Sequence, residues 1–253
     1  MAVRLKKRIF SGPVCEQVIY TAQTVEAGAK GPSRPRFKND EERATHRRLI
    51  ARRHCARLVN ANFTPAGYFI TLTFDRESEV EDFIDARKER DNFRRRLTYR
   101  CPNAKLMIFM GRGKSTSRIH FHVIAENVTE EAVKAAWPNG TVCRMSHLRE
   151  HNKDKNGKDL GRDLTAVSDY CFDHWTPEQG GHYYSRTKNL TLPEEEEPTE
   201  CKREYSVEHP PVPPKGYELV EAFATPYGYL YFRYIKTPIE PPRLRRMQSR
   251  WRN

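Results

Sequence analysis

The sequence predicts an α+β fold: a central antiparallel sheet with helices packed on one face and an open polar face opposite. Residues 67–75 and 118–125 alternate apolar and polar side chains, as half-buried strands do. Helix-length segments at 40–60 and 77–99 flank the first of these strands. Residues 105–110 form a further strand, and the short connection from it to 118–125 requires that the two run antiparallel.

The remaining elements follow the same periodicities along the chain. The helix at 40–60 is rich in arginine, and its basic face either is simply solvated or contacts DNA. The helix at 77–99 is acidic in its first half and basic in its second, an order that complements the helix dipole. Four more elements are predicted: a short helix at 129–136, a strand at 141–146, a helix at 163–175 and a hairpin at 217–235.

The composition is that of a basic folded protein. The chain has 253 residues and a net charge of +12, and an excess of this size attracts polyanions, of which nucleic acid is the commonest. The alternative is a generally basic surface without a nucleic-acid partner. No run of 18 apolar residues occurs, so we expect no membrane segment. The six cysteines form no C-x-x-C pair, which predicts reduced thiols and a cytoplasmic protein.

Composition divides the chain into four parts. Residues 1–39 read as an N-terminal arm with a short β-prone piece and a Gly/Pro/Lys-rich stretch. Residues 40–192 contain most of the predicted helices and strands and form the main domain. Residues 193–216 have a run of four glutamates and several prolines, which predicts a linker. Residues 217–253 hold the aromatic-rich hairpin and an arginine-rich tail.

Two histidines stand two residues apart on the strand at 118–125. Because strand side chains alternate between faces, His120 and His122 share one face, while Ile119 and Phe121 lie on the other. Such a pair can bind a metal ion, but it is more often an ordinary polar face. Other residues are therefore needed to choose between the two interpretations.

Those residues are the Thr-Leu-Thr-Phe end of the strand at 67–75 and Tyr170 on the helix at 163–175. Together with the histidine pair they resemble the HUH endonuclease superfamily of rolling-circle replication initiators, relaxases and related transposases. There, a U-T-L-T strand, a His-hydrophobe-His strand and a tyrosine helix build one site. Residues 58–63 and 184–190 are similar to the replication-associated proteins of small phages and mobile elements of Gram-positive bacteria. The similarity covers roughly residues 40–192.

The resemblance implies an RRM-like palm that nicks and rejoins single-stranded DNA at a specific sequence. His120 and His122 would hold Mg²⁺ or Mn²⁺, and Tyr170 would form a 5′-phosphotyrosine intermediate. The biology implied is initiation of rolling-circle replication of a phage, plasmid or mobile element in a bacterial cytoplasm. The partners would be single-stranded origin DNA, a host helicase and a host polymerase. The alternatives are a conjugative relaxase, a single-strand transposase, or a non-catalytic DNA-binding protein on a decayed HUH scaffold.

The chain departs from the family pattern at two places. Family members often have a lysine three residues after the tyrosine, where this chain has Asp173. Many also have an acidic third metal ligand before the histidine pair, but residues 108–113 contain no carboxylate. We expect His174 to supply the third ligand, because position i+4 of a helix lies beside Tyr170. Asp173 is the second choice and water the third, and His174 could equally be a helix-end residue favoured by the dipole.

The missing lysine also leaves the nucleophile open. Tyr183 and Tyr184 remain alternatives to Tyr170, which without the histidine pair would be read as a core aromatic. Residues 113–116 imitate the end of a phosphate-binding P-loop but lack its first glycine and join two strands, so no nucleotide cofactor is expected. Five basic residues are expected to bind DNA: Arg112, Lys114, Arg118, Arg186 and Lys188.

Overall fold

The computed structural model describes residues 2–23, 39–113, 117–153, 159–176, 179–225 and 228–237. Within this part the protein is a mixed α+β structure with antiparallel sheets and four α-helices. No helix in these ranges is long and apolar enough to cross a bilayer. The helices are α1 (Asp40–Asn62), α2 (Phe83–Arg100), α3 (Glu130–Ala136) and α4 (Thr165–Phe172). The strands are β1 (Ala2–Ser11), β2 (Val14–Gln23), β3 (Tyr68–Phe74), β4 (Lys105–Arg112), β5 (Ile119–Glu126), β6 (Gly140–His147), β7 (His151–Lys153), β8 (Asp159–Arg162), β9 (Ser185–Arg186), β10 (Glu194–Glu195), β11 (Thr199–Glu200), β12 (Tyr217–Ala224) and β13 (Leu230–Lys236).

Polar side chains cap the first three helices, and at the start of α3 the Thr129 hydroxyl accepts a hydrogen bond from the Ala132 amide at 3.2 Å. The Asn39 side chain accepts a hydrogen bond from the Glu42 amide at 2.7 Å at the start of α1. The Asp82 carboxylate accepts from the Ile84 and Asp85 amides and starts α2. Because the helix begins at this cap, the residues that precede it form only a 3-10 turn at Arg76–Ser78, and α2 is shorter than the predicted 77–99.

A five-stranded antiparallel sheet, in the order β6-β3-β5-β4-β9, positions the predicted site residues. Its four long strands lie where the sequence predicts strands. One face is apolar and packs against α2 and α3. The largest buried residues of this core are Phe93, Phe121 and Trp137, whose rings meet edge to face.

The opposite face is not open, so the prediction of helices on one face only is wrong. Helices α1 and α4 cover part of it, around Met107, Phe109 and Ile124. These side chains occupy the alternate positions of β4 and β5 and are apolar, so burying them stabilises the fold. The remainder of the same face carries His120 and His122, beside the end of α4.

A second antiparallel sheet has the order β10-β1-β2-β13-β12, with β11 also paired to β1. The segment predicted as an arm therefore contains a regular hairpin of two ten-residue strands rather than one short β-prone piece. The predicted linker likewise supplies two short strands to the edge of this sheet. The predicted C-terminal hairpin is present as β12 and β13, whereas its turn at 226–227 and the basic tail at 243–252 lie outside the described residues.

Buried polar contacts join the second sheet to the helices that cover the first. Arg233 on β13 pairs with Asp163, just before α4, at 2.6 Å. Glu16 on β2 pairs with Arg57 of α1 and accepts a hydrogen bond from the Tyr231 hydroxyl at 2.7 Å. The two sheets are therefore held together by interactions that end on α1 and at the start of α4.

Candidate metal and nucleophile site

Three imidazoles meet where α4 ends over the five-stranded sheet. His120 and His122 lie on β5 and face the same side, and His174 follows the last turn of α4. Each offers a nitrogen that lies within 4.8 Å of the nitrogens of the other two. The Nε2 atoms of His120 and His122 are 3.2 Å apart. His174 was the first choice for the third metal ligand, and it lies beside the other two histidines. Together the three imidazoles could hold a metal ion.

The other ring nitrogen of each histidine is near a protein oxygen. A hydrogen bond at Nδ1 orients the ring and leaves Nε2 to bind a metal, as in many metal sites. The three contacts are from His174 Nδ1 to the Tyr170 carbonyl at 2.8 Å, from His122 Nδ1 to Thr71 Oγ1 at 3.2 Å, and from His120 Nδ1 to the Arg118 carbonyl at 3.5 Å.

The spacing and the protonation of His120 and His122, whose Nε2 atoms are 3.2 Å apart, suit a cation. Two nitrogens bound at about 2.1 Å to one ion, near a tetrahedral or octahedral angle, would be roughly 3.0–3.4 Å apart. Burial, and to a lesser extent the neighbouring His120 and His174, lower the pKa of His122 from its ordinary value near 6.5 to about 3. Burial also lowers the pKa of His120. These two rings are therefore neutral at pH 7, which is the form that binds metals.

Gly111 on β4 makes room for the third imidazole. A Cβ added to this residue would lie 2.9 Å from the His174 Cβ and 3.4 Å from the His120 Nε2. A side chain at this position would therefore push α4 away from the sheet. Glycine here allows His174 to approach the histidine pair.

Tyr170 lies beside the imidazoles and is 52% exposed. Its ring centroid is 4.7 Å from that of His174 and 5.3 Å from that of His122. The ring also meets Phe69 edge to face at 5.9 Å. The structure thus brings together the four side chains that the sequence predicted for metal binding and nucleophilic attack.

Arginines of α1 hold α4 in this position. Arg52 binds Asp169 at 2.8 Å and binds both oxygens of Asp173, at 2.9 and 3.2 Å. Arg48 adds a longer contact to Asp173 at 3.6 Å. The Asp173 carboxylate therefore makes ion pairs with α1 and is not part of the imidazole group, which favours His174 over Asp173 as the third ligand. The helical periodicity explains this, because positions 169 and 173 share a face adjacent to that of Tyr170.

The alternative nucleophiles lie elsewhere. The ring of Tyr183 stacks on Phe172 at 4.7 Å and lies 4.5 Å from Trp175. The ring of Tyr184 packs beside Phe109 at 5.7 Å, and burial raises the pKa of its phenol to about 12. A phenol with a raised pKa is a poor nucleophile at neutral pH. Neither arrangement favours these residues over Tyr170.

Two of the five predicted DNA-binding residues have internal partners. The Arg112 guanidinium donates to the Ser117 and Glu81 carbonyls at 2.7 and 2.9 Å. Arg118 pairs with Glu79 at 3.0 Å and donates to the carbonyl of Phe74. These arginines hold the end of β4 and the residue before β5 against the segment that precedes α2, and a DNA contact would have to compete with these bonds.

Of the other three predicted DNA-binding residues, the two that the structure describes are not at the imidazoles. Lys114 lies outside the described residues. Arg186 lies on β9 and Lys188 just after it, and both side chains are exposed. In the sheet Arg186 lies opposite Met107 of β4. Because Met107 is four residues from Gly111 along β4, this basic edge is about 13 Å from the site.

Sequence reasoning missed Arg144 on β6. Arg144 on β6 lies opposite Thr71 on β3, and Thr71 lies opposite His122 on β5. The three side chains therefore share one face of the sheet. The exposed Arg144 guanidinium lies over the Phe69 ring at 6.0 Å. The sequence predicted the strand but held no signal for its pairing with β3, and that pairing brings the arginine to the site.

Comparisons with protein-family models, with curated proteins and with solved structures find no match to this chain. The resemblance to HUH endonucleases therefore depends on the motifs and on the meeting of their side chains. What the protein does has to be inferred from the chemistry of these residues.

Proposed function

We propose that this protein is a metal-dependent HUH-type endonuclease that nicks and rejoins single-stranded DNA to initiate rolling-circle replication of a phage, plasmid or mobile element. The observation that carries the proposal is the position of one exposed phenol beside three imidazoles. The same site would serve a relaxase or single-strand transposase, which use the same chemistry. The similarity of residues 58–63 and 184–190 to replication-associated proteins favours replication.

The chemistry follows from what a phosphodiester requires. A divalent ion held by His120, His122 and His174 would neutralise phosphate charge and stabilise the leaving 3′ oxygen. The Tyr170 oxygen attacks phosphorus and the bond from phosphorus to the 3′ oxygen breaks, which leaves a 5′-phosphotyrosine and a free 3′ hydroxyl. The phenol loses its proton and the leaving oxygen gains one. Because one ester replaces another, attack by a 3′ hydroxyl reverses the reaction and rejoins the strand.

The donor set favours Mn²⁺ over Mg²⁺. Imidazole nitrogen suits transition metals, whereas Mg²⁺ prefers oxygen ligands and retains its water. In the described part of the chain the group contains three nitrogens and no carboxylate. We therefore expect Mn²⁺ to support the reaction at lower concentration than Mg²⁺.

The reaction is tested by trapping its intermediate. The protein is incubated with Mn²⁺ and a pool of random-sequence single-stranded oligonucleotides labelled at the 3′ end, then denatured and resolved by gel electrophoresis. We expect labelled protein from the wild type, none from Tyr170→Phe, and none after EDTA. Tyr99→Phe is the matched control, because Tyr99 is 83% exposed on α2, across the sheet from the site.

Two results would contradict the proposal. Absence of labelled protein with the whole oligonucleotide pool, while the pool still binds, would favour a non-catalytic DNA-binding protein. Adduct formed equally by Tyr170→Phe would place the nucleophile on another residue.

A further inference from the structure

A groove of about 360 Å³ opens directly beside Tyr170. Tyr170 and Phe69 form its aromatic part, and Val167 and Leu148 add apolar surface. Arg144 and two further polar or basic residues of β6, followed by Arg149, form its rim. The volume is within the range of pockets that hold small organic ligands.

Charge distinguishes this groove from two others in the described part of the chain. A larger groove between α1 and the second sheet is lined by Glu16, Asp169 and Glu221 as well as by arginines. Another, at the end of α1, is lined by Glu126, Glu150 and Asp163. No carboxylate lines the groove beside Tyr170, although two arginines do. Its surface therefore suits an anion attached to a flat apolar group.

The position of Arg144 relates the groove to the imidazoles. Arg144 on β6 pairs with Thr71 on β3, and Thr71 pairs with His122 on β5. Two strand spacings, or about 10 Å, therefore separate the backbones of Arg144 and His122. The Arg144 side chain is exposed and extends over the Phe69 ring, which itself stacks on His122 at 5.3 Å.

We propose that this groove binds the nucleotide next to the cleaved phosphate, with its base on the apolar floor and its phosphate on Arg144. The inference rests on the proposed function, and it adds the course of the DNA strand, which crosses β5 and β3 toward β6. Aromatic surfaces bind unpaired bases by stacking, and guanidinium groups bind phosphate through two hydrogen bonds. Arg144 would thus position the strand so that the neighbouring phosphate meets Tyr170.

The test measures binding without cleavage. In a Tyr170→Phe background, the affinity for a fluorescein-labelled 20-nucleotide oligothymidylate is measured at several salt concentrations. We expect Arg144→Gln to weaken binding roughly tenfold and to reduce the slope of log affinity against log salt by about 0.7, the share of one phosphate on a single strand. Arg144→Lys should keep most of the slope, because it keeps the charge.

The matched control is Arg95→Gln, which removes one exposed arginine from α2 on the other side of the sheet. It should leave the slope unchanged. The inference is overturned if Arg144→Gln binds as the parent does, or if Arg95→Gln lowers affinity and slope equally. Binding is measured separately from cleavage. A wild type that forms no adduct would contradict the proposed function, but the binding measurement would still test the role of Arg144.

Discussion

At the residue scale, the site depends on keeping imidazoles uncharged inside the protein. Burial costs a charged imidazole its hydration, and a second and third imidazole nearby add repulsion. A bound cation would be stabilised by the lone pairs of the neighbouring imidazole nitrogens. Without a metal, the burial and closeness of these imidazoles make the folded state less stable at low pH.

The folded protein should therefore lose stability as pH falls. The pKa of His122 is lowered to about 3 in the folded state, from an ordinary value near 6.5. Between these pH values His122 is protonated in the unfolded chain but not in the folded one. The free energy of unfolding therefore decreases as pH falls from about 6.5 toward 3. Urea unfolding at several pH values with EDTA present measures this. His122→Asn should flatten the dependence, while His182→Asn, at an exposed histidine, should not.

Gly111→Ala should weaken metal binding. Its Cβ would lie 2.9 Å from the His174 Cβ, so the third imidazole must move from the pair on β5. We expect Mn²⁺ affinity to fall at least about tenfold, a loss of roughly 1.4 kcal/mol. Calorimetric titration with Mn²⁺ measures it, and urea unfolding shows whether the fold survives. Unchanged affinity in a folded variant would mean that His174 is not a ligand.

Single residues also mark the limits of sequence reasoning. The pattern of the chain predicted His120, His122, Tyr170 and His174, because a known motif names the first three and helix spacing from Tyr170 places His174. It could not predict Arg144, whose contact with the site depends on β6 pairing with β3. It predicted Arg112 and Arg118 from charge alone, which does not reveal the internal partners that they have.

At the element scale, the placement of α4 decides whether the site forms. Arg52 and Arg48 of α1 form ion pairs with Asp173 at the end of α4. Asn60, near the end of α1, forms hydrogen bonds at the start of α4. The Asn60 side chain accepts from the Leu164 amide at 2.8 Å and donates to the Thr165 hydroxyl at 3.1 Å. Asn60 thus helps to orient α4, the helix that carries Tyr170.

Arg52→Gln should impair adduct formation more than it impairs folding. The pair is about one-third exposed, so its contribution to stability should be at most about 1 kcal/mol. Loss of its contacts to Asp169 and Asp173 frees α4 to shift, and we expect the adduct rate to fall several-fold. Arg52→Lys should not restore it, because one ammonium group cannot reproduce the fork to two carboxylates.

The control for Arg52 is Arg43→Gln on the same helix. Arg43 pairs with Asp40 in the first turn of α1, away from α4. Equal adduct rates in the wild type and Arg52→Gln would show that the α1 pairs do not position Tyr170.

The order of elements was predictable, but their layering was not. Alternation of apolar residues defined β3 to β6, and 3.6-residue periodicity defined the helices. The apolar side chains of Met107, Phe109 and Ile124 share the face of the histidines, which the sequence interpretation treated as polar. A mixed face of this kind needs a helix over its apolar part, and that is where α1 and α4 lie.

At the scale of the whole molecule, two segments far apart along the chain, 2–23 and 217–236, form one sheet. Strand β2 lies between β1 and β13, so its partner comes from more than 200 residues along the chain. Each segment alone looked like an arm, a linker or an isolated hairpin. Local patterns carry no information about such distant pairing, which explains why the sequence did not predict the second sheet.

The contact between the sheets should be important for stability. Arg233 and Asp163 form a buried pair, with side chains 10% and 0% exposed. Arg233→Met would leave the Asp163 carboxylate buried without this partner, and we expect a loss of about 3 kcal/mol in the free energy of unfolding. Arg203→Met, at an exposed arginine, should change it little. The added change Asp163→Asn should restore part of the loss, and no difference between the single and double variants would contradict this account.

The most direct test of the central claim is the mass of the peptide that carries the DNA. Adduct formed with Mn²⁺ is digested with trypsin and nuclease and analysed by tandem mass spectrometry. We predict a nucleotide joined through its 5′ phosphate to Tyr170, and loss of the adduct in His120→Ala, His122→Ala and His174→Ala. A nucleotide on Tyr183 or Tyr184, or an adduct that persists without the imidazoles, would contradict it.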